Sequence, residues 1–194
     1  IYLNKFFLNN FMKKDLWKIL IRYFILVLVA IPGFGYIYWL LSPLTVYPVA
    51  FLLNFLYNMQ LMGNTILLNK IVLIEIIGAC IAGSAYYFLL ILNLSVPKTG
   101  WKKRIYMLLF AFGTFLIINI LRIFILSVIY MSGSSLFDIT HKVFWYLGST
   151  LFVIMIWFIE VKIFKIKQIP FYSDIKTLYD KSIFRNRRSK SKKK

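Results

Sequence analysis

The chain has 194 residues, of which 61% are hydrophobic, and its formal charge at pH 7 is +18. A water-soluble domain of this length does not need so much apolar material, so the composition indicates an integral membrane protein. A single cysteine excludes an internal disulfide and the usual cysteine-rich metal sites. The basic residues lie between and beside apolar segments, which favours anionic lipid over nucleic acid as their partner. Because the chain begins with isoleucine, we expect a fragment or a processed product.

Four apolar segments come close to the roughly 20 residues that a membrane-crossing helix requires. In chain order they are residues 16–41, with a kink expected at Pro32 to Gly35, Gly78–Leu94, residues 105–130 and residues 143–161. The sequence therefore predicts about four transmembrane helices.

The distribution of basic residues predicts the orientation of these helices. Nearly all lysines and arginines lie in three segments, residues 5–22, 98–104 and 162–194. The exceptions are Lys70, Arg122 and Lys142. The positive-inside rule places the three basic segments in the cytoplasm. We therefore expect a multi-pass protein of the cell membrane with cytoplasmic N- and C-termini.

This orientation leaves residues 42–77 on the outer side, because the second span must descend from there to the basic segment at 98–104. Residues 46–62 contain three polar amides, which lipid-facing helices disfavour, so we predict a helix on the outer face. Residues 64–76 carry a turn-forming Asn69-Lys70 pair between two β-branched apolar runs. That pattern predicts a short β-hairpin before the helix that bears the cysteine.

The expected fold is thus an all-α polytopic membrane bundle with an outer-face helix and one short β-hairpin. Residues 1–166 form a single integral membrane domain. Residues 167–194 form a basic cytoplasmic tail that binds anionic lipid.

Three chemically distinctive residues fall at one membrane level in this topology. Cys80 lies at the start of the descending second span. Arg122 follows Ile105 by 17 residues, or about 25 Å along an ascending helix. His141 lies just before the last span, where Ser135 and Asp138 resemble a capping box that would start that helix. All three are therefore expected near the outer surface.

These residue types suit acyl transfer. The thiolate is the nucleophilic form of cysteine, and the pKa of a free thiol is about 8.5. Histidine accepts the thiol proton and later protonates a leaving amine. Arginine, always charged at working pH, binds a substrate carbonyl or carboxylate or stabilises the oxyanion of a tetrahedral intermediate.

The motifs around these residues resemble those of the exosortase/archaeosortase family of multi-pass membrane cysteine transpeptidases. They are Cys80-Ile81-Ala82-Gly83, Asn119-Ile120-Leu121-Arg122, and His141 at the head of the final span. The resemblance covers residues 64–165. Many family members have Ser or Thr directly after the cysteine, where this chain has Ile81. The chain is also short, so it is most similar to a short archaeosortase-like member.

The resemblance implies a function for residues 64–165 as a catalytic core. Members cleave C-terminal sorting signals of surface proteins, each consisting of a short motif, one transmembrane helix and a basic end. The reaction runs through a thioester and transfers the protein to an amine or a lipid-linked acceptor. By this resemblance Cys80 is the nucleophile, Arg122 the carbonyl or oxyanion partner and His141 the acid/base, with no cofactor or metal.

Three further residues are expected to support this site. Asn119 shares a helix face with Arg122 and would hydrogen-bond it or the substrate. Asp138, three residues before His141, would orient the imidazole. Gly83 is the glycine of the family pattern.

Each candidate also has a simpler interpretation. A lone cysteine in a membrane helix is usually a packing residue, and a lone histidine at the interface is usually solvated. Arg122 would then snorkel to the outer headgroups, and Gly83 would only permit close helix packing. The alternative function is a non-catalytic polytopic protein, such as a transporter or channel subunit or an assembly factor. In that case Arg122 would pair with Glu75 or headgroups, and Cys80 would face lipid.

Overall fold

The computed structural model describes residue 17 and residues 19–31, 35–97 and 99–166. Helices dominate this part of the chain, and one small sheet interrupts them. In chain order the elements are α1 (Ile19–Ala30), α2 (Gly35–Asn54), β1 (Met59–Met62), β2 (Thr65–Leu68), β3 (Val72–Glu75), α3 (Gly78–Ile81), α4 (Gly83–Leu94), α5 (Trp101–Met131), α6 (Leu136–Val143), a π-helical turn (Phe144–Gly148) and α7 (Ser149–Ile163).

Within the described ranges, three helices are long and apolar enough to cross a membrane. They are α2, α5 and the continuous helix Leu136–Ile163, which comprises α6, the π-helical turn and α7. The other apolar helices, α1 and Gly78–Leu94, are shorter than a full crossing. The mostly helical character predicted from the sequence is therefore confirmed, and the described ranges contain three helices of spanning length, where about four were expected.

The predicted first span, residues 16–41, is two helices. Helix α1 ends at Ala30 and α2 begins at Gly35, so the break falls where the sequence predicts a kink. The phenol of Tyr36 donates a hydrogen bond to Val29 O at 2.6 Å, which joins the two helices across the break. Proline and glycine both disfavour an uninterrupted helix. Pro32 itself lies outside the described residues.

The predicted outer-face helix at residues 46–62 is wrong. Its first half belongs to α2, which continues to Asn54, and its last residues form β1. The backbone of Asn58, one of the three amide residues of this segment, is joined to Asn69 in the hairpin turn instead. Asn58 O accepts from Asn69 N at 2.8 Å, and Asn58 N donates to the Asn69 side-chain oxygen at 3.1 Å.

The predicted hairpin at residues 64–76 is confirmed as strands β2 and β3, which pair antiparallel with Leu68 opposite Val72. Asn69 and Lys70 both adopt left-handed backbone conformations, with φ of 51° and 60°. Three residues therefore connect the strands, and Ile71 N donates to Leu68 O at 3.0 Å to close a turn whose two central residues have positive φ. Strand β1 adds a third member on the other side of β2, where Met59 faces Leu68.

The bundle has a basic end, marked by two buried arginines. Arg22 of α1 and Arg104 of α5 both donate to Leu94 O and Val96 O, just at the C-terminus of α4. Carbonyls at the end of a helix lack intrahelical partners, and cationic side chains satisfy them well. The N-terminal parts of α1 and α5 therefore meet the end of α4. The predicted basic tail, residues 167–194, lies outside the described residues.

A polar pair joins α4 to α7 inside the bundle. Asn93 Nδ2 donates to Glu160 Oε2 at 3.1 Å, and both residues are fully buried. The same Nδ2 donates to Leu89 O at 3.1 Å. Buried polar groups in a membrane helix need such partners, so this contact fixes the two helices against each other.

Candidate functional site

Cys80, Arg122 and His141 all line one cavity of about 290 Å³. The rest of its wall comes from the end of β3, the two residues that follow it, α5, α6 and the π-helical turn. Most of these side chains are apolar or aromatic. The structure therefore brings together three residues that are far apart in the sequence.

A helix break positions the cysteine. Ala82 separates α3 from α4 in a left-handed conformation, with φ 57° and ψ 47°. In a continuous helix Cys80 O and Ile81 O would accept from the amides four residues later. Here Ala85 N donates to Ala82 O at 2.9 Å instead. The break therefore leaves the carbonyls of Cys80 and Ile81 to side-chain donors.

Two side chains on one face of α5 supply those donors. Asn119 Nδ2 donates to Cys80 O at 3.0 Å and to Ile81 O at 3.4 Å. Arg122 Nη2 donates to Cys80 O at 3.2 Å. Both side chains are buried, and their spacing of three residues brings them to one side of the helix. The Asn-x-x-Arg motif thus clamps the backbone of the residue that carries the thiol.

Arg122 also reaches the last helix. Its Nη1 donates to Ser149 Oγ at 3.0 Å, so one guanidinium connects α5 to both α3 and α7. Ser149 was not singled out from the sequence; the signal that could have found it is a hydroxyl within the apolar final segment. Within the described residues no hydrogen bond joins Arg122 to Glu75, although the two residues line the same cavity.

His141 sits on an aromatic row. Its ring stacks on Phe137, with centroids 5.3 Å apart and planes 10° apart. Trp145 meets the imidazole edge-on at 5.8 Å. The three residues are four apart, so one helical face presents them together to the cavity. In the described chain no hydrogen bond joins His141 to Cys80, although both line the same cavity.

Asp138 does not orient the imidazole in this structure. It is exposed, it does not line the cavity, and no hydrogen bond within the described ranges joins it to His141. The ring orientation comes from Phe137 and Trp145 instead. This aromatic row was not predicted from the sequence.

The predicted capping box at the start of the last helix is also wrong in detail. Helix α6 does begin directly after Ser135, as expected. The Ser135 side chain makes no capping bond, because its backbone is already helical, with φ −61° and ψ −15°. The neighbouring Ser134 Oγ accepts from Leu136 N at 3.2 Å and takes that role.

Gly83 acts in packing. It is buried and outside the cavity wall, and a Cβ at this position would lie 2.9 Å from Tyr38 Cε1 of α2. Any side chain at this position would require the Tyr38 ring to shift. The glycine therefore permits the close helix approach that was one of its two interpretations from sequence.

No three His, Cys, Asp or Glu side chains cluster to hold a metal ion in the part of the chain that the structure describes. Comparison with models of protein families, with characterised proteins and with solved structures finds no match to this chain. The cavity and its residues therefore carry the functional proposal.

Proposed function

We propose that this protein is a membrane-embedded cysteine peptidase or transpeptidase of the exosortase/archaeosortase type. The observation that supports it best is the shared cavity of Cys80, Arg122 and His141. These residues come from three separate elements, α3, α5 and α6, and carry the only cysteine and the only histidine of the chain. A nucleophile, an acid/base and a fixed cation are the groups that acyl transfer requires.

In the proposed reaction the Cys80 thiolate attacks the carbonyl carbon of a peptide bond. The C–N bond then breaks, His141 protonates the departing amine, and the acyl group remains on sulfur as a thioester. An amine or a lipid-linked nucleophile attacks the thioester and regenerates the thiol. The guanidinium of Arg122 stabilises the oxyanion that forms in each half of the reaction.

The clamp on the Cys80 carbonyl supports a positioning role for its donors. Asn119 and Arg122 hold the backbone of Cys80 from the same side, at 3.0 and 3.2 Å. A nucleophile whose backbone is fixed loses less orientational freedom on the way to the transition state. Ser149 fixes Arg122 in turn.

The proposed substrates are precursors of surface proteins with a C-terminal motif, a transmembrane helix and a basic end. The largely apolar wall of the cavity suits a peptide segment that continues into a membrane helix. We place the cavity at the outer face of the cell membrane and both termini in the cytoplasm, where the basic segments meet anionic lipid.

The non-catalytic alternative fits the geometry less well. It requires Arg122 to pair with Glu75 or with headgroups while Cys80 faces lipid. The guanidinium instead bonds Cys80 O and Ser149 Oγ, and it is only 8% exposed. Cys80 is half-buried and lies on the cavity wall.

The experiment is a cleavage assay in membranes that contain a co-expressed precursor with such a sorting signal. Cys80→Ala and Cys80→Ser should abolish processing at unchanged protein levels. Ser132→Ala is the matched control, because Ser132 is exposed at the end of α5 and outside the cavity wall. Continued processing by both Cys80 variants would contradict the proposal and leave the cysteine a packing residue.

A further inference from the structure

One edge of the small sheet adjoins the cavity. The strand order is β1-β2-β3, so β3 is an edge strand within the described chain. An edge strand presents unpaired backbone N–H and C=O groups. Such groups are costly beside apolar surroundings, so a partner for this edge would be stabilising.

The register identifies which backbone groups are free. Ile76 N donates to Asn64 O at 2.9 Å, and the pairing of Ile74 with Ile66 continues this antiparallel ladder. Hydrogen-bonded and non-hydrogen-bonded pairs alternate along an antiparallel ladder. Since Ile76 belongs to a hydrogen-bonded pair, so does Ile74, and both residues direct their backbone groups toward β2. The backbone groups of Leu73 and Glu75 therefore point to the free edge.

The cavity runs along this edge. The five consecutive residues from Leu73 to Ile77 all contribute to its wall. Successive side chains of a strand point to opposite faces of the sheet. A cavity that contacts side chains from both faces of β3 therefore meets this strand at its edge. Cys80 follows Ile77 by one helical turn and lines the same cavity.

We propose that the substrate binds as an extended peptide that pairs with the outer edge of β3 and thereby adds a fourth strand to the sheet. This inference rests on the proposed function. Pairing with the N–H and C=O of Leu73 and Glu75 directs the peptide along the cavity toward the Cys80 thiol. Main-chain pairing of this kind supplies affinity that does not depend on side-chain identity. The aromatic row at Phe137 and Trp145 then contacts alternate side chains of the bound peptide.

The first test uses the single cysteine as a reporter. Acetyl-tetra-alanyl chloromethyl ketone alkylates a thiolate as chloride leaves, and mass spectrometry of the digested full chain quantifies the adduct on Cys80 separately from any adduct on His141. Four analogues each carry one N-methylated alanine. Strand pairing predicts that methylation at alternate positions slows labelling about fivefold, whereas the intervening positions stay within about twofold. An equal effect at all positions, or no effect, would overturn the inference.

The second test changes the protein edge. Leu73→Pro removes the outward N–H without breaking a bond to β2, whereas Leu73→Ala keeps that N–H. Both variants lose the leucine side chain, so comparing them removes the effect of that loss from the effect of the missing N–H. We expect Leu73→Pro to react with the peptide reagent about fivefold more slowly than Leu73→Ala. Equal peptide rates would overturn the inference, and iodoacetamide should label both variants equally if the fold and the thiol are intact.

The two proposals can fail separately. If the four N-methylated analogues label Cys80 at equal rates while processing still depends on Cys80, strand pairing is contradicted and the catalytic proposal is not. If labelling slows at alternate positions while Cys80→Ala still processes the precursor, catalysis by Cys80 is contradicted and peptide binding at the β3 edge is supported. A labelling rate that falls as protein concentration rises would show a second copy on β3 and would overturn the inference.

Discussion

At the scale of single residues, Arg122 is the residue on which the site depends most. Its two terminal nitrogens have different partners, Cys80 O and Ser149 Oγ. Only a planar guanidinium presents two such donors in a fixed fork, and an ammonium offers a single point of contact. A positive charge at position 122 would therefore not be enough to hold both Cys80 O and Ser149 Oγ.

We expect Arg122→Lys to lower processing about tenfold or more, because one of the two hydrogen bonds to a charged donor is lost. The control is Arg104→Lys, which weakens the hydrogen bonds that a buried arginine makes at the opposite end of α4. Both variants should lower the midpoint of thermal unfolding in detergent. Only Arg122→Lys should lower processing per folded molecule, measured by gel shift of the precursor. Equal losses from both variants would reduce Arg122 to a structural role.

The sequence predicts this site in part, and the missed contacts have a common cause. The placement of Cys80, Arg122 and His141 at one membrane level followed from helix rise, which depends on residue counts, and from the distribution of basic residues. The partner of Arg122 on α7 depends on the rotation of that helix about its axis. The π-helical turn Phe144–Gly148 changes this rotation, and hydrophobic periodicity does not reveal such a turn. Ser149 was missed for that reason.

At the scale of elements, α2 contacts the start of α4 closely at Gly83, directly after the helix break at Ala82. We expect Gly83→Ala to destabilise the protein by about 1–3 kcal/mol, because the new methyl group meets the Tyr38 ring and the ring must shift. Gly113→Ala is the matched control in α5, where a Cβ meets nothing within 4 Å. It should stabilise the helix by up to about 1 kcal/mol. Thermal unfolding in detergent measures both changes, and a Gly83→Ala variant as stable as Gly113→Ala would contradict this account of the contact.

The elements that sequence predicted best are those with strong local signals. Asn69 and Lys70 both have positive φ, as a tight turn requires. Because this pair is recognisable in the sequence, the position of the hairpin was predicted correctly. Strand β1 was missed because its sequence, MQLM, has none of the β-branched or aromatic residues that favour strands. Helix α2 was divided wrongly because it continues past Pro43 and Pro48, which membrane helices tolerate better than soluble ones.

At the scale of the whole molecule, the basic end and the cavity lie at opposite ends of α4. The helix has 12 residues, which span about 18 Å. Arg22 and Arg104 hold the carbonyls at its C-terminus, whereas the cavity lies beyond its N-terminus at Cys80. The basic residues near the C-terminus of α4 belong to the segments from which the orientation was predicted, and the cavity lies at the other end of this helix.

The orientation can be measured in a Cys80→Ala background, which contains no other thiol. Lys70→Cys places a reporter in the exposed hairpin turn, and Lys103→Cys places one at the exposed start of α5. Because basic segments are retained in the cytoplasm, a membrane-impermeant maleimide should label Lys70→Cys in intact cells and Lys103→Cys only after permeabilisation. The reverse pattern would place the cavity on the cytoplasmic side. Precursors with a cleavage motif outside the membrane could not then reach Cys80, and the proposed substrate class would have to be abandoned.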